Sequence, residues 1–466
     1  MKNYIVNLLV IVLSFTACKD NKAGENLVSI EQVQDTISAK DKSVLDFLNL
    51  KFGMFIHYNM GTYHAEQWAK PNHDPKSFAP DSLNCSQWAK AAKSAKMNYA
   101  VFTTKHHDGF CLWDTEVTDY DVASSSYKGD IVKEYTDAFR KEGLKIGLYF
   151  SVWDRQHDIQ HNSITPEKID FTKTQLTELL TNYGEIICIV IDGWGSRWGK
   201  GPDFKEFPFA VLADHIHSIQ PNCLVINHSC RADLSYTDVV HYEATHGQHI
   251  PYDNTYPSQQ GPTLQPAWFW EKHFADLELK STKSVLEELK FSNDHLSNYL
   301  LNAAPNDKGL MDDNIVKRLQ EIGEEVVFSE GLETLPKLEK THANVTINVS
   351  SKLNESHIEA YNVLDCNLFT AWKASEEDKN PRIELDFGKP ETFNFISMHG
   401  GYKKSVQKFK LEALVGDQWK EIHRGGPVTF HYKGYFDNDI TAQKYRLSVL
   451  EKKGIPEIIE MTLVKY

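Results

Sequence analysis

Asp192 closes the stretch EIICIVIDGWG, in which the apolar run from Ile186 to Ile191 ends in a carboxylate followed by Gly193 and Trp194. A short apolar run bounded by turn residues reads as a strand buried on both faces. The same placement, polar chemistry at or just past the end of an apolar run, recurs along the chain. His57 follows FGMFI, His106 and His107 follow YAVFTTK, and Tyr149 lies in IGLYFS with Trp153 and Asp154 just beyond. Asn227 and His228 follow CLVI, and Glu243 follows VVHY. Two carboxylates among His and Trp are what cleavage of a glycosidic bond needs: one is nucleophile or base, the other protonates the leaving oxygen. Trp68, Trp113, Trp153, Trp194 and Trp270 sit at or beyond the same strand ends. Indole faces stack on the apolar C–H faces of sugars, while sugar hydroxyls need fixed donors and acceptors.

These residues share one mouth only if the strands are parallel and closed. Helical patterns such as DIVKEYTDAFRKEG and FTKTQLTELLTNYG alternate with the apolar runs, each ending in a Gly that suits a helix stop. Seven readable strands over roughly 290 residues predict an α/β fold, a (β/α)8-type TIM barrel over 44–335, with AWFW at Ala267 as the candidate for the eighth strand. From NVTINVSS onward, period-two patterns with turns every ten or so residues predict an antiparallel β-sandwich over 340–466.

The 466-residue chain is 41% hydrophobic, and its net charge of −14 with no basic stripe excludes a nucleic-acid surface. Lys2, the apolar segment Ile5 to Ala17 and Cys18 form an export signal too short to span a bilayer comfortably. FTAC resembles a lipobox, which implies cleavage before Cys18, a lipid on that residue and a polar tether over 19–43; an ordinary secretory peptide is the alternative. The localisation expected is a membrane-anchored lipoprotein, periplasmic or at the cell surface. The other six cysteines show no CxxC pair or dense disulfide framework, and a Cys223–Cys230 bridge stays open. The adjacent His106 and His107 raise a metal site; neighbouring strand residues face opposite sides, so none is expected in the mouth.

KFGMFIHYN, AEQWA, FTTKHHDGFCLWDT, GLYFSVWD and VIDGWG stand in the order and spacing of the α-L-fucosidases of glycoside hydrolase family 29, and the resemblance spans about Asp46 to Glu333. It implies a retaining displacement without a cofactor, with Asp192 as nucleophile and His57, Glu66, Trp68, His106, His107 and Tyr149 gripping fucose. QPAWFW and LLNAAPNDKGLM are similar to the subgroup that prefers α-1,3/4-linked fucose on Lewis-type glycans. There the acid lies in Gly-Asn-Glu after strand six; this chain has HYE, which makes Glu243 the match, with Glu271 as rival. Arg231 is a candidate for the same side of the pocket or for a surface ion pair. Retention predicts carboxyl groups ~5–5.5 Å apart.

The C-terminal segment resembles the discoidin or coagulation factor 5/8-type module through AYNVLDCNLFTAWKA, PRIELDFGKP and IPEIIEMTLVKY. That resemblance leaves room for sugar binding or a structural Ca²⁺, and the lack of an aromatic cluster in the segment favours bracing of the catalytic domain instead. Two other functions compete with fucose release: a glycan-binding lipoprotein without catalysis, and a hydrolase of a related sugar such as α-L-galactose.

Overall fold

The structure, a computed structural model, describes residues 38–464 except 196–199, 229–233, 235–236, 247, 249, 251–253, 255, 337–344, 355–357, 365–369, 402–403 and 430–431. Cys18, Cys230, Arg231 and Cys366 therefore lie outside the described residues. Eight parallel strands make the first sheet: β1 (Phe52–Ile56), β2 (Tyr99–Lys105), β3 (Lys145–Ser151), β4 (Cys188–Asp192), β5 (Leu224–Asn227), β6 (Val240–Tyr242), β7 (Ser258–Gln260) and β8 (Ser297–Asn302). They pair in the order β5-β4-β3-β2-β1-β8-β7-β6. Among the described residues eight α-helices accompany them: α1 (Ala39–Leu50), α2 (Met60–His64), α3 (Cys85–Ser94), α4 (Ile131–Lys141), α5 (Pro166–Asn182), α6 (Phe209–Ile219), α7 (Thr282–Asp294) and α8 (Asp313–Glu325). Ser38 caps α1, so helix already occupies the end of the expected tether.

Side-chain alternation along the strands separates two cores. Inside the barrel, Phe55, Val101, Tyr149, Val190, Ile226 and Leu300 pack together. Between strands and helices a larger cluster joins the outward residues, such as Ile56, Phe102, Phe150 and Ile191, to α3, α4 and α5. Two residues beyond the inner layer, the inward positions become His57, Ser151, Asp192, His228 and Asn302. A strand buried on both faces ends in a carboxylate because its next inward position is the barrel mouth.

AWFW is not the missing strand. β7 is Ser258–Gln260, all polar and all buried, and its side chains find partners inside: Gln259 with His241 and Tyr99, Gln260 with Ser292. A hydrophobic pattern cannot reveal such a strand. Between β5 and β6 the ladder gives way to side chains. Asp238 Oδ2 accepts from Val225 N at 2.8 Å, and Thr237 Oγ1 accepts from Asn227 N at 3.0 Å.

The second sheet is antiparallel, with β9 (Thr346–Val349), β10 (Trp372–Lys373), β11 (Arg382–Gly400), β12 (Val406–Val415), β13 (Gln418–Gly425), β14 (Tyr432–Lys452) and β15 (Glu457–Val464). RIELDFG and FNFISMHG, read separately in the sequence, are halves of β11, which shifts register between Asp386 and Glu391. Such irregularities bend a strand and let one sheet wrap its own core, here centred on Leu385, Ile396, Leu411 and Leu447. Among the described residues no helix is long and apolar enough to cross a membrane.

Candidate active site

Asp192 ends β4 with its carboxylate at the mouth and its side chain 17% exposed. Tyr149 OH donates to Oδ2 at 2.6 Å and Gly193 N to Oδ1 at 2.5 Å. His107 Nε2 and His228 Nδ1 face the two oxygens, each at 3.6 Å. Burial pushes the Asp192 carboxyl up, but His228, His107 and the Tyr149 hydroxyl outweigh it and hold the group well below the usual carboxylate range. Asp192 is therefore ionised. Gly193 makes the turn possible: its φ is +94°, and a Cβ there would lie 2.6 Å from Trp153 Cβ.

Hydrogen bonds at the strand ends set the histidine orientations. Asn302 donates from Nδ2 to Trp268 O at 2.9 Å, so its Oδ1 accepts from His57 Nδ1 at 2.8 Å. Burial holds the His57 imidazole neutral, its pKa lowered to about 3. Ser151 donates to Trp153 O and receives His107 Nδ1 at 2.7 Å. Burial likewise lowers His106 and His107. On His228 burial is overcome by the Asp192 charge, which raises its pKa.

His106 and His107 do not face opposite sides. Both lie past the end of β2, where a register shift between Thr103 and Lys105 breaks the alternation, and their ring centroids are 4.1 Å apart. His106 reaches His57 and Tyr149, while His107 reaches Trp153 at 4.9 Å and Trp68 at 5.7 Å. Among the described residues no group of three or more His, Cys, Asp or Glu is arranged to hold a metal ion. Among the described residues the buried atoms His106 Nδ1, His228 Nε2 and Trp153 Nε1 lack a hydrogen-bond partner. Unpaired buried polar atoms are costly, and atoms around a mouth can be satisfied by the hydroxyls of a sugar.

Glu243 follows β6 and is partly buried. Its charge acts on His107, Tyr149 and His228, the residues that surround Asp192. Glu271 is held elsewhere, receiving Gln67 Nε2 at 3.1 Å and facing His273 at 3.6 Å. Glu66 turns to Lys70 N and His73; these bonds overcome its burial penalty and lower its pKa to about 2. Trp68 is 40% exposed and packs edge-on to Trp153.

Three expected sugar-stacking indoles are core instead. Trp194 is fully buried among Phe204, Phe207 and Phe209, with Nε1 donating to Phe207 O. Trp113 donates to Glu178, and Trp270 to Asp312. Asp154 is also structural: its buried pair with Lys105 at 3.0 Å ties the loop after β3 to β2, and Lys105 also reaches Gln175 of α5. Cys223, a candidate for a disulfide, is a free buried thiol.

The alpha-L-fucosidase family model matches residues 23–326, more than half of the chain. The chain belongs to the alpha-L-fucosidase family. It is a glycoside hydrolase, and its C-terminal sheet matches the F5/8 type C domain over residues 346–461. It is 27% identical over 436 residues to the Arabidopsis thaliana protein named Alpha-L-fucosidase 1, covering 87% of this chain and 83% of that one. In fold it is similar to a glycoside hydrolase 29 family member from an unknown rumen bacterium, with TM-score 0.56, 26% identity and coverage of 91% of this chain and 76% of that one. A Ruminococcus gnavus GH29 fucosidase solved in complex with fucose gives TM-score 0.53 at 21% identity, covering 91% of this chain and 94% of that one.

Within this fucosidase-family site the sequence reading passed over Trp268, Phe269 and Asn302. Trp268 packs 4.8 Å from His57, and Phe269 lies 5.2 Å from His57 and 4.9 Å from His106. Gln67 clamps the segment, donating to Phe269 O and accepting from Phe269 N. The AWFW quartet was a usable signal; its aromatics are a wall of the mouth rather than a strand.

Proposed function

We propose that this chain is a retaining exo-α-L-fucosidase, with Asp192 as nucleophile and Glu243 as acid/base, acting on α-1,3/4-linked fucose of Lewis-type glycans. The observation that carries the mechanism is the environment of Asp192: two hydrogen-bond donors and two imidazoles hold it ionised at the mouth, where the charge of Glu243 is also felt. In the first step a carboxylate oxygen of Asp192 bonds to C1 of fucose as the C1–O bond to the aglycone breaks, and Glu243 gives its proton to the departing oxygen. In the second, water adds to C1, Glu243 takes the water proton, and the bond to Asp192 breaks. The HYE sequence, whose first two residues depart from Gly-Asn-Glu, makes Glu271 the competing acid. The linkage preference is supported by the QPAWFW and LLNAAPNDKGLM segments, and export with a lipid tether at Cys18 by the FTAC start.

The test is fucose release from a Lewis-type trisaccharide and from an α-1,2-fucosylated one, with Asp192→Ala, Glu243→Ala and Glu271→Ala beside the wild type. Release is expected from the branched sugar only, falling at least about 10³-fold in Asp192→Ala. Azide added to that variant with an activated aryl fucoside should give the β-fucosyl azide, the product of attack on the face that Asp192 vacates. In Glu243→Ala, but not Glu271→Ala, an activated aryl fucoside should be cleaved far better than the trisaccharide. No release by the wild type from either trisaccharide, with fucose still bound, would replace the mechanism by a glycan-binding role.

A further inference from the structure

His241 lies on β6, two residues before Glu243, and is 1% exposed. Its ring packs against His228 in a tilted arrangement, with centroids 4.1 Å apart and planes inclined by 33°, and His228 in turn faces Asp192. The proton on His241 is placed by a short chain of hydrogen bonds. Gln259 donates from Nε2 to Tyr99 OH at 2.9 Å, which leaves its Oε1 to accept from His241 Nδ1 at 2.9 Å. With the proton on Nδ1, Nε2 carries the lone pair. Burial and the neighbouring His228 keep the ring neutral. Among the described residues Nε2 is nevertheless buried without a hydrogen-bond partner, although acceptors in such surroundings are normally satisfied.

Its surroundings show what it faces. Gly261, just past the end of β7, packs closely beside it: a Cβ there would lie 3.0 Å from His241 Nε2 and Cε1 and 3.8 Å from Trp268 Cη2. His241 and Trp268 therefore both border Gly261. Trp268 closes on His57, and His57, Tyr149, His228 and Trp268 all pack around Phe55, the inner-layer ring beneath the mouth. His241 fills the wall between His228 and Trp268.

We propose that His241 is a specificity-determining residue that contacts the substrate, its Nε2 accepting a hydrogen bond from one hydroxyl of the sugar bound beside Asp192. This rests on the glycosidase reading above. The preset tautomer makes the position selective for a donor, so a sugar lacking that hydroxyl leaves the acceptor unpaired and is rejected.

The experiment crosses enzyme variants with substrate analogues. Wild type, His241→Phe and His241→Leu, each checked for native folding, are assayed with an aryl α-L-fucoside, its 2-, 3- and 4-deoxy analogues, and the aryl α-L-galactoside, which adds a 6-hydroxyl. The expected result is that one hydroxyl is worth tenfold or more in kcat/KM to the wild type and less than about threefold to both variants, the other hydroxyls keeping their value. Equal losses on every analogue, or no loss on any, would overturn the proposal and leave His241 a packing residue. If the wild type cleaves nothing, the hydrolase reading fails by itself; the same cycle is then read from the affinities of the free sugars by calorimetry, with the same pattern expected and the same outcomes overturning it.

Discussion

From β1 to β4 the barrel is built of strands of five to seven residues, largely apolar and paired along their length with their neighbours. From β5 to β7 the strands shrink to four and three residues, and polar side chains take over part of the ladder. Each half nevertheless supplies one of the two carboxylates proposed to act as a pair, Asp192 from the first and Glu243 from the second. In the first half, backbone pairing and an apolar layer fix where the site groups stand. In the second, individual side chains do so: Asn302 for Trp268, Gln259 for His241, Gln67 for the segment from Phe269 to Glu271. A half held by the ladder should resist single substitutions unless they strand a buried charge, and a half held by side chains should yield to the loss of one hydroxyl.

The largest effect expected is in the first half. Lys105→Met removes the cation paired with the fully buried Asp154, leaving His157 as its remaining side-chain partner among the described residues, and should cost up to about 5 kcal/mol, read as a shift in the denaturant midpoint. A loss below 1 kcal/mol would mean that the pair is dispensable and that packing alone holds the loop after β3. Next is Asp108, in the turn after the histidine pair, whose carboxyl burial raises to about 7. The native state keeps a proton that the unfolded chain gives up near pH 4, so this group's contribution makes stability fall as pH rises from about 4 to 7. Asp108→Asn, which keeps an acceptor for Phe110 N, should remove up to about 4 kcal/mol of that slope. Identical pH–stability profiles for variant and wild type would refute it. The smallest effect belongs to the second half. Thr237→Val leaves Asn227 N without its acceptor and should cost about 1–3 kcal/mol, in contrast to Thr136→Val on α4, whose hydroxyl only repeats a helical carbonyl contact. Equal costs at the two positions would erase the distinction between the halves.

The same division explains what could be read from the sequence. The strands of the first half announce themselves by apolar runs, and the rule that chemistry gathers at carboxyl ends leads directly to His57, the histidine pair, Tyr149 and Asp192. β7 is invisible to any hydrophobic count because Ser258, Gln259 and Gln260 are buried by satisfying one another's neighbours. Tryptophans were overvalued for a related reason: Trp194 and Trp113 sit near strand ends in sequence, but each finds an internal acceptor for its indole N–H and turns into the outer core. Trp268 and Phe269 were hidden in a quartet whose composition resembles a strand, and only the tie from Gln67 shows that it is a wall.

The seam between β5 and β6 has a consequence for how the molecule breathes. The amides of Val225 and Asn227 are shielded by a carboxylate and a hydroxyl, which release them by a rotamer change, whereas an amide in a continuous ladder is freed only when a strand separates. Deuterium should enter the barrel first along this line and last along β1 to β3. The cylinder thus has a built-in slit, and it runs down the side from which His228 and Glu243 project.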